Sequence, residues 1–409
     1  MNMKDKEIRI LIQKEAKRQQ DTIDLIASEN YVSWDVREAA ASVFTNKYSE
    51  GYPGERYYAG NRVVDELETL VMKRALKLFG ASPNTWGVNV QALSGAPANF
   101  WAYFALARPG EKILAQAIDQ GGHLTHGASV SHTAAIWKWA HYGVDAHTHR
   151  LDYDVVRKIA KKEKPKVIVA GASAYSRTIN FKRFREIADE VGAYLLVDMS
   201  HIAGLVAGNA HPSPFPFADV VTSTTHKTLR GPRGALVFFR KEFEKSINAS
   251  VFPKGQGGPH QHQTASIGVA LYEAMQPSFK AYVRQTINNA QALAEAFKKL
   301  GHVIISGGTD NHLFLIDLSG VGVFGKEAQE LLERAHIIVN MNSTPGDTRK
   351  PRDPSGIRLG TPAVTTRGMK EADMRVLAGY MDAVLKKKKK PELVQKEVKK
   401  ISLCFPVLR

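Results

Sequence analysis

Four short apolar runs limit what this chain can become: "VIVAG" from Val167, "YLLVD" from Tyr194, "DVVTS" from Asp219 and "ALVFF" from Ala235. None alternates apolar with polar residues. Each therefore reads as a strand covered on both faces, the arrangement of a parallel sheet between helices. Helical periodicity lies around them. In "VVDELETLVMKRALKLFG" the residues Val63, Leu67, Leu70, Val71 and Leu78 recur at three- and four-residue steps, and Gly80 closes the run. "FREIADEVG" repeats the logic before Tyr194. Strand and helix in succession imply an α/β architecture with helices on both faces of the sheet.

Beyond about residue 275 the texture changes. Helical patterns lengthen ("NNAQALAEAFKKLG", "GKEAQELLERA", "EADMRVLAGYMDAVLKK") and strands thin out to "HLFLIDL". This predicts an N-terminal arm and large domain over 1–275, and a smaller α/β domain with a basic tail over 276–409. The glycine-rich "FPKGQGGPH" reads as a loop near the junction. A chain of 409 residues is long enough for two such cores.

Charge and cysteine content narrow the function classes. A formal charge of +16 invites nucleic acid as a partner. No interleaving of aromatic and basic residues accompanies it, and the block "LKKKKKPELVQKEVKK" reads as a solvated or frayed tail. RNA binding is left without support, whereas small phosphates and carboxylates suit the charge. The single cysteine, Cys404, excludes an internal disulfide and a cysteine-rich zinc site and fits a reducing compartment. No apolar run approaches the roughly 20 residues of a membrane span, and the charged first twenty residues lack a signal-peptide core. A cytoplasmic protein off the membrane is expected.

The chemistry concentrates at two strand ends. "YLLVDMSHIAG" is an apolar strand ending in Asp198, with His201 three residues later. A buried acid is costly without a cation opposite it, and strand C-termini are where open α/β sheets bind ligands. Lys227, in "TTHKTLRGPRG", follows 29 residues on, one crossover away. Two readings fit the pair: an ion pair, or a pyridoxal phosphate site in which the lysine condenses with the aldehyde and the carboxylate keeps the pyridine nitrogen protonated. "WGVNVQALSGAPANFWAYFALA" supplies a strand, a turn at Ser94, Gly95 and Ala96, and a helix with Pro97 in its first turn. The free N–H groups there attract phosphate, although ordinary capping selects the same residues. His123 and His126 in "QGGHLTHG", and His260 and His262 in "HQH", are spaced for a metal but have no acidic or cysteine partner at ligand spacing. An imidazole stacked on a planar ring explains His123 as well.

At this point the chain resembles the serine hydroxymethyltransferases, fold-type-I pyridoxal phosphate enzymes, from "DLIASEN" at 24 to "SGIRLGTPAVTTRG" at 355. The signposts are "TNKYSEGYPGERYYAGN", "GGHLTHG", "VDMSHIAGLVA", "TTHKTLRGPRG", "VFPKGQGGP" and "GGTDNHLFLIDL". The resemblance implies a large domain with a mostly parallel sheet flanked by helices and a smaller C-terminal α/β domain. It implies reversible transfer of serine's hydroxymethyl carbon to tetrahydrofolate, giving glycine and methylenetetrahydrofolate, as part of one-carbon metabolism and amino-acid biosynthesis. Lys227 would be the Schiff-base lysine, Asp198 the partner of the pyridine nitrogen and His123 the residue stacked on the ring. Ser173 and His201 would lie near the phenolic oxygen, with Thr224, His226 and Arg233 around the lysine. Ser94 and Gly95 match the phosphate cradle, and Tyr48 and Gly258 match phosphate-side contacts from a neighbouring subunit. Arg358 with Ser28 matches the grip on the substrate carboxylate, which a planar guanidinium can hold by both oxygens. Glu50 matches the acid/base carboxylate, Tyr58 a nearby residue from the partner chain, and Asn342 a pterin contact. A homodimer with shared sites, or a tetramer, follows from the resemblance.

The chain departs from the family pattern at three places. Ala96 stands where many members carry a second serine, "AIDQGGH" around Gln120 replaces a His-Gly-Gly-His approach, and "GGPHQHQTASIG" replaces a usually apolar sequence. The pterin type is open in consequence, as are a pterin-independent aldolase of β-hydroxy amino acids and a variant acting on 2-methylserine. Arg349, Lys350 and Arg352 crowd the expected pterin pocket, which points to polyglutamylated folate.

Overall fold

A computed structural model describes residues 3–407. The packing divides the chain into two compact units, one spanning Val32–Arg284, the other taking in the chain up to Tyr31 and from Gln285 onward. The division falls inside a single helix, Pro277–Lys299, and not at the change of texture near 275.

The larger unit is built on seven strands: β1 (Trp86–Asn89), β2 (Lys112–Gln116), β3 (Lys138–Tyr142), β4 (Val167–Ala170), β5 (Tyr194–Asp198), β6 (Val220–Thr224) and β7 (Ala235–Arg240). Their order is β1-β7-β6-β5-β4-β2-β3. Every neighbouring pair is parallel except those made by β7, which runs antiparallel to both β1 and β6. The alternation-free pattern is real, since β4, β6 and nearly all of β7 are buried on both faces. It reports burial, and burial alone does not set strand direction. One face is covered by the helix Gly95–Leu106, whose Ala98, Ala102 and Tyr103 pack on Val167, Leu196, Val220 and Val237.

The helix Arg62–Leu78 forms where its periodicity predicts, but its buried face is rotated from the expected one. Val64, Glu68, Val71 and Ala75 point inward, while Val63 and Leu70 are exposed. A carboxylate therefore sits in the core-facing stripe.

The other unit has a four-stranded antiparallel sheet in the order Val303–Ile304, Leu313–Asp317, Gly356–Gly360, Asn340–Asn342. A separate parallel pair joins Ile23–Asp24 to Ile337–Ile338, which places the first residues of the chain in this unit. Buried Arg367 fixes them, donating to the carbonyls of Thr22 at 2.6 Å, Ser402 at 2.7 Å and Phe405 at 2.6 Å. The lysine run is a turn between the helices Glu371–Leu385 and Pro391–Cys404, not a frayed tail. Lys386 and Lys388 lie 2.6 and 3.5 Å from the carboxylate of Asp382, and Lys387 lies 2.8 Å from Glu327. Among the described residues no helix is long and apolar enough to cross a membrane.

Candidate active site

The C-terminal ends of β2, β4, β5 and β6 lie on one edge of the sheet, because these neighbours are parallel. Asp198 ends β5 and is register partner to Thr222 in β6, which puts the acid three residues of backbone from the turn bearing Lys227. After β4, Gly171 adopts φ +144°, and a Cβ there would fall 2.2 Å from the carbonyl oxygen of Asp198. Only glycine permits that approach. Ser173 follows, its N–H donating 2.8 Å to the carbonyl of Gly121 in the loop after β2 that carries His123.

Asp198 is buried and its carboxylate is closely held. Oδ1 accepts from the N–H of Ser200 at 3.0 Å, Oδ2 accepts from Asn99 Nδ2 at 2.8 Å, and His126 Nε2 stands 3.4 Å away. Burial alone would raise its pKa. His126, with added charge from His123 and Lys227, outweighs burial and holds the carboxyl well below the usual range. The acid is therefore ionised at neutral pH. Behind it, Asn99 Nδ2 also donates 2.9 Å to Thr125 Oγ1, Thr222 Oγ1 donates 2.6 Å to Asn99 Oδ1, and Thr125 Oγ1 lies 2.7 Å from His123 Nδ1. The expected acid and the expected ring-stacking histidine thus share one hydrogen-bond network. Donor atoms of His123, His126 and Asp198 lie within 4.8 Å of one another, so the acidic neighbour missing at ligand spacing along the chain is supplied in space by Asp198.

Lys227 is buried, with 8 % of its surface exposed. Its turn is fixed by Thr228, whose Oγ1 donates 2.8 Å to the carbonyl of His201 and accepts from the N–H of Gly204 at 2.9 Å. Thr224 N–H donates 3.0 Å to Ser200 Oγ. Burial first, then the charges of Lys227 and Arg233, push His226 down to about 3, so this imidazole is neutral. Its Nδ1 is buried without a partner among the described residues. Arg233 itself is exposed.

Ser94 caps the helix Gly95–Leu106 without spending its side chain on a capping bond. The hydroxyl and the first N–H groups of that helix are the donor set a phosphate requires. A Cβ at Gly95 would stand 2.5 Å from Thr224 Cγ2, which ties the turn to the end of β6 and hence to the lysine. An ionised buried acid, a neutral imidazole, an amine and a phosphate-ready helix start on one sheet edge fit pyridoxal phosphate. Gln120 acts locally, its Oε1 accepting from the N–H of Val144 at 3.4 Å.

A second group in this unit gathers Tyr48, Glu50, Tyr58 and Gly258. Tyr48 Oη donates 3.2 Å to Glu50 Oε1, and the Tyr48 and Tyr58 rings meet edge-on at 5.1 Å. Both rings are about half exposed, at 54 % and 48 %. A Cβ at Gly258 would press on the Tyr48 ring at 3.1 Å.

In the other unit, Arg358 and Asn340 are register partners, and Arg358 Nε donates 3.3 Å to Asn340 Oδ1. Burial lowers Arg358 to about 10, which still leaves it cationic. The neighbouring Gly360 donates its N–H 2.8 Å to the carbonyl of Leu25, and a Cβ there would collide with Ala27, which brings the segment bearing Ser28 onto this strand. Asn342 pairs with Gly356 on the same sheet. Arg349 is engaged by the carboxylate of Asp353 and lies over the Phe324 ring at 3.5 Å.

Asn99, Thr125, Ser200 and Thr222 escaped the reading of the sequence. Asn99 left one trace, as a polar residue in the otherwise apolar "APANFWAYFAL".

The fold and this lysine site define a fold-type-I pyridoxal phosphate enzyme. The serine hydroxymethyltransferase family profile matches residues 1–381. A serine hydroxymethyltransferase of Myxococcus xanthus (strain DK1622) is 52 % identical, with 98 % of this chain and 96 % of the relative covered. Those of Lactobacillus gasseri and Sorangium cellulosum are each 54 % identical over 91 % and 94 % of this chain, and 90 % of each relative is covered. The chain belongs to the serine hydroxymethyltransferase family, transferases that use pyridoxal phosphate and take tetrahydrofolate as co-substrate.

Proposed function

We propose that this chain transfers the hydroxymethyl carbon of serine to tetrahydrofolate, releasing glycine, with Lys227 tethering the cofactor. The observation that carries the reading is the buried Lys227 amine on the same sheet edge as the ionised Asp198, within a family match over nearly the whole chain. Pyridoxal phosphate, when bound, supplies an electron sink for the pair left when serine's Cα–Cβ bond breaks. Asp198 keeps a proton on the pyridine nitrogen, which its ionised state and its network favour. Ser94 and Gly95 would hold the phosphate, His123 would pack on the ring, and Ser173 and His201 would serve the phenolic oxygen. Thr224, His226 and Arg233 shape the wall beside the lysine; neutral His226 adds no charge to compete with the amine. Arg358 and Ser28 hold the serine carboxylate, and Asn342 contacts the pterin. Glu50 takes and returns the proton of the serine hydroxyl.

The half-exposed Tyr48 and Tyr58, with Gly258, support a homodimer in which they serve the neighbouring chain's site. A cytoplasmic location is part of this reading, and the single cysteine, Cys404, is in keeping with a reducing compartment. The test is borohydride reduction of the purified protein followed by peptide mapping, alongside serine turnover with and without tetrahydrofolate. A pyridoxyl group on residue 227 and pterin-dependent turnover are expected. Serine cleavage that ignores the pterin would leave an aldolase, and an unlabelled Lys227 would remove the cofactor assignment.

A further inference from the structure

Glu50 sits in a loop whose backbone is pinned at three consecutive carbonyls. Arg56 Nη1 donates 2.8 Å to the carbonyls of both Ser49 and Gly51, Gln91 Nε2 donates 2.9 Å to that of Gly51, and the N–H of Tyr57 donates 3.1 Å to that of Glu50. Gly51 holds φ +94°, where a Cβ would strike the Glu55 carbonyl at 2.2 Å, so only glycine permits this close turn beside Glu50. The groups that grip the loop converge on one carboxylate. Glu68, on the inward stripe of Arg62–Leu78 and 1 % exposed, lies 2.8 Å from Arg56 Nη2. It accepts from Gln91 Nε2 at 3.1 Å and from Gln261 Nε2 at 2.5 Å. Gln261, also 1 % exposed, turns the same amide to Ser49 Oγ at 2.9 Å.

We propose that Glu68 and Gln261 are positioning residues: together they form a buried clamp that sets the place of Glu50 and so governs proton transfer at the substrate hydroxyl. The proposal rests on the acid/base reading of Glu50. A buried ion pair such as Glu68–Arg56 gains little stability over an apolar substitute, but it fixes geometry, because each arm is left with an uncompensated charge when the other moves. Burial raises the pKa of Glu68, and Arg56, Gln261 and Gln91 oppose that rise.

The test is a double-mutant cycle on the full-length holoenzyme: Gln261→Met and Ser49→Ala, each alone and each combined with Glu50→Gln. Cofactor absorbance per chain, KM for serine and kcat with tetrahydrofolate are read for every variant. A displacement of about 1 Å can cost a hundredfold in rate, so a partial release predicts a kcat about tenfold lower in Gln261→Met. Ser49→Ala, which removes only the hydroxyl, should lower kcat less, and neither should change cofactor load or KM by more than about twofold. In the Glu50→Gln background both further losses should shrink to within about twofold. Equal losses in both backgrounds, or an unchanged kcat in both single variants, overturn the clamp. An unchanged kcat in Glu50→Gln alone overturns the acid/base role and the clamp with it, so the two failures are told apart. Ser49→Ala keeps the test decisive if Gln261→Met does not fold.

Discussion

Replacing Asn99 by alanine removes one small amide and three buried hydrogen bonds. Its Nδ2 serves Asp198 Oδ2 and Thr125 Oγ1, and its Oδ1 serves Thr222 Oγ1, at a position 1 % exposed. A hydrogen bond to a charged acceptor contributes about 1.5–3 kcal/mol and a neutral one about 1 kcal/mol, so a loss of about 3 kcal/mol remains after partial relaxation. At roughly 2 cal/mol/K of unfolding entropy per residue, this lowers the melting temperature by about 4–6 °C if the larger unit unfolds on its own. Calorimetry at pH 7 and fixed cofactor concentration reads the shift. The pH matters for sign. The folded-state pKa of Asp198 is depressed, so its stabilisation is fully present above the unfolded value of about 3.9 and is lost as pH falls below it. At pH 7 the whole penalty is visible. Asp198 keeps the Ser200 N–H and the longer His126 contact, so it stays ionised but is free to rotate, and cofactor load at limiting pyridoxal phosphate should drop. A melting temperature within about 1 °C of the parent, with unchanged load, would refute the claim that Asn99 holds the acid.

Gly171→Ala forces a Cβ to 2.2 Å from the Asp198 carbonyl at a φ of +144°; the expected cost is about 2–4 kcal/mol, read by denaturant midpoint at constant m. Lys227→Arg keeps the charge but cannot condense with an aldehyde, so the borohydride label on the peptide around residue 227 should vanish while any reversibly bound cofactor washes out on dialysis. In the cofactor-free protein, His226 titrates near 6.5 when unfolded and near 3 when folded. The unfolded chain therefore binds the extra proton between those values, and stability should fall by up to about 1.4 kcal/mol per pH unit as pH drops through that window. His226→Asn should flatten that part of the profile, and a profile identical to the parent's would count against a neutral buried imidazole.

Much of the site was legible along the chain because its parts are local. The Lys227 turn, the Ser94–Gly95 helix start and the acid at the end of "YLLVD" each lie within one strand–turn segment, and the structure brings them to one edge of the sheet. The loop carrying Tyr48, Glu50 and Tyr58 was legible as a motif, but not what holds it. Glu68 lies where the helical periodicity left a polar gap, and its inward face follows from Arg56, Gln91 and Gln261 meeting it from three other parts of the chain.

The sequence alone determined which central strands are buried on both faces, where several of the helices lie, and which short motifs carry chemistry, since these depend on neighbours within a few residues. It did not determine the helix Pro391–Cys404 or which face of Arg62–Leu78 is buried. Only the tertiary structure decided that β7 runs against the sheet, that Ile23–Asp24 pairs with a strand more than three hundred residues later, and that Asn99 stands behind Asp198. An apolar pattern records how much water a segment avoids. It does not record which distant partner takes the water's place, and that choice is settled by the simultaneous packing of all the elements.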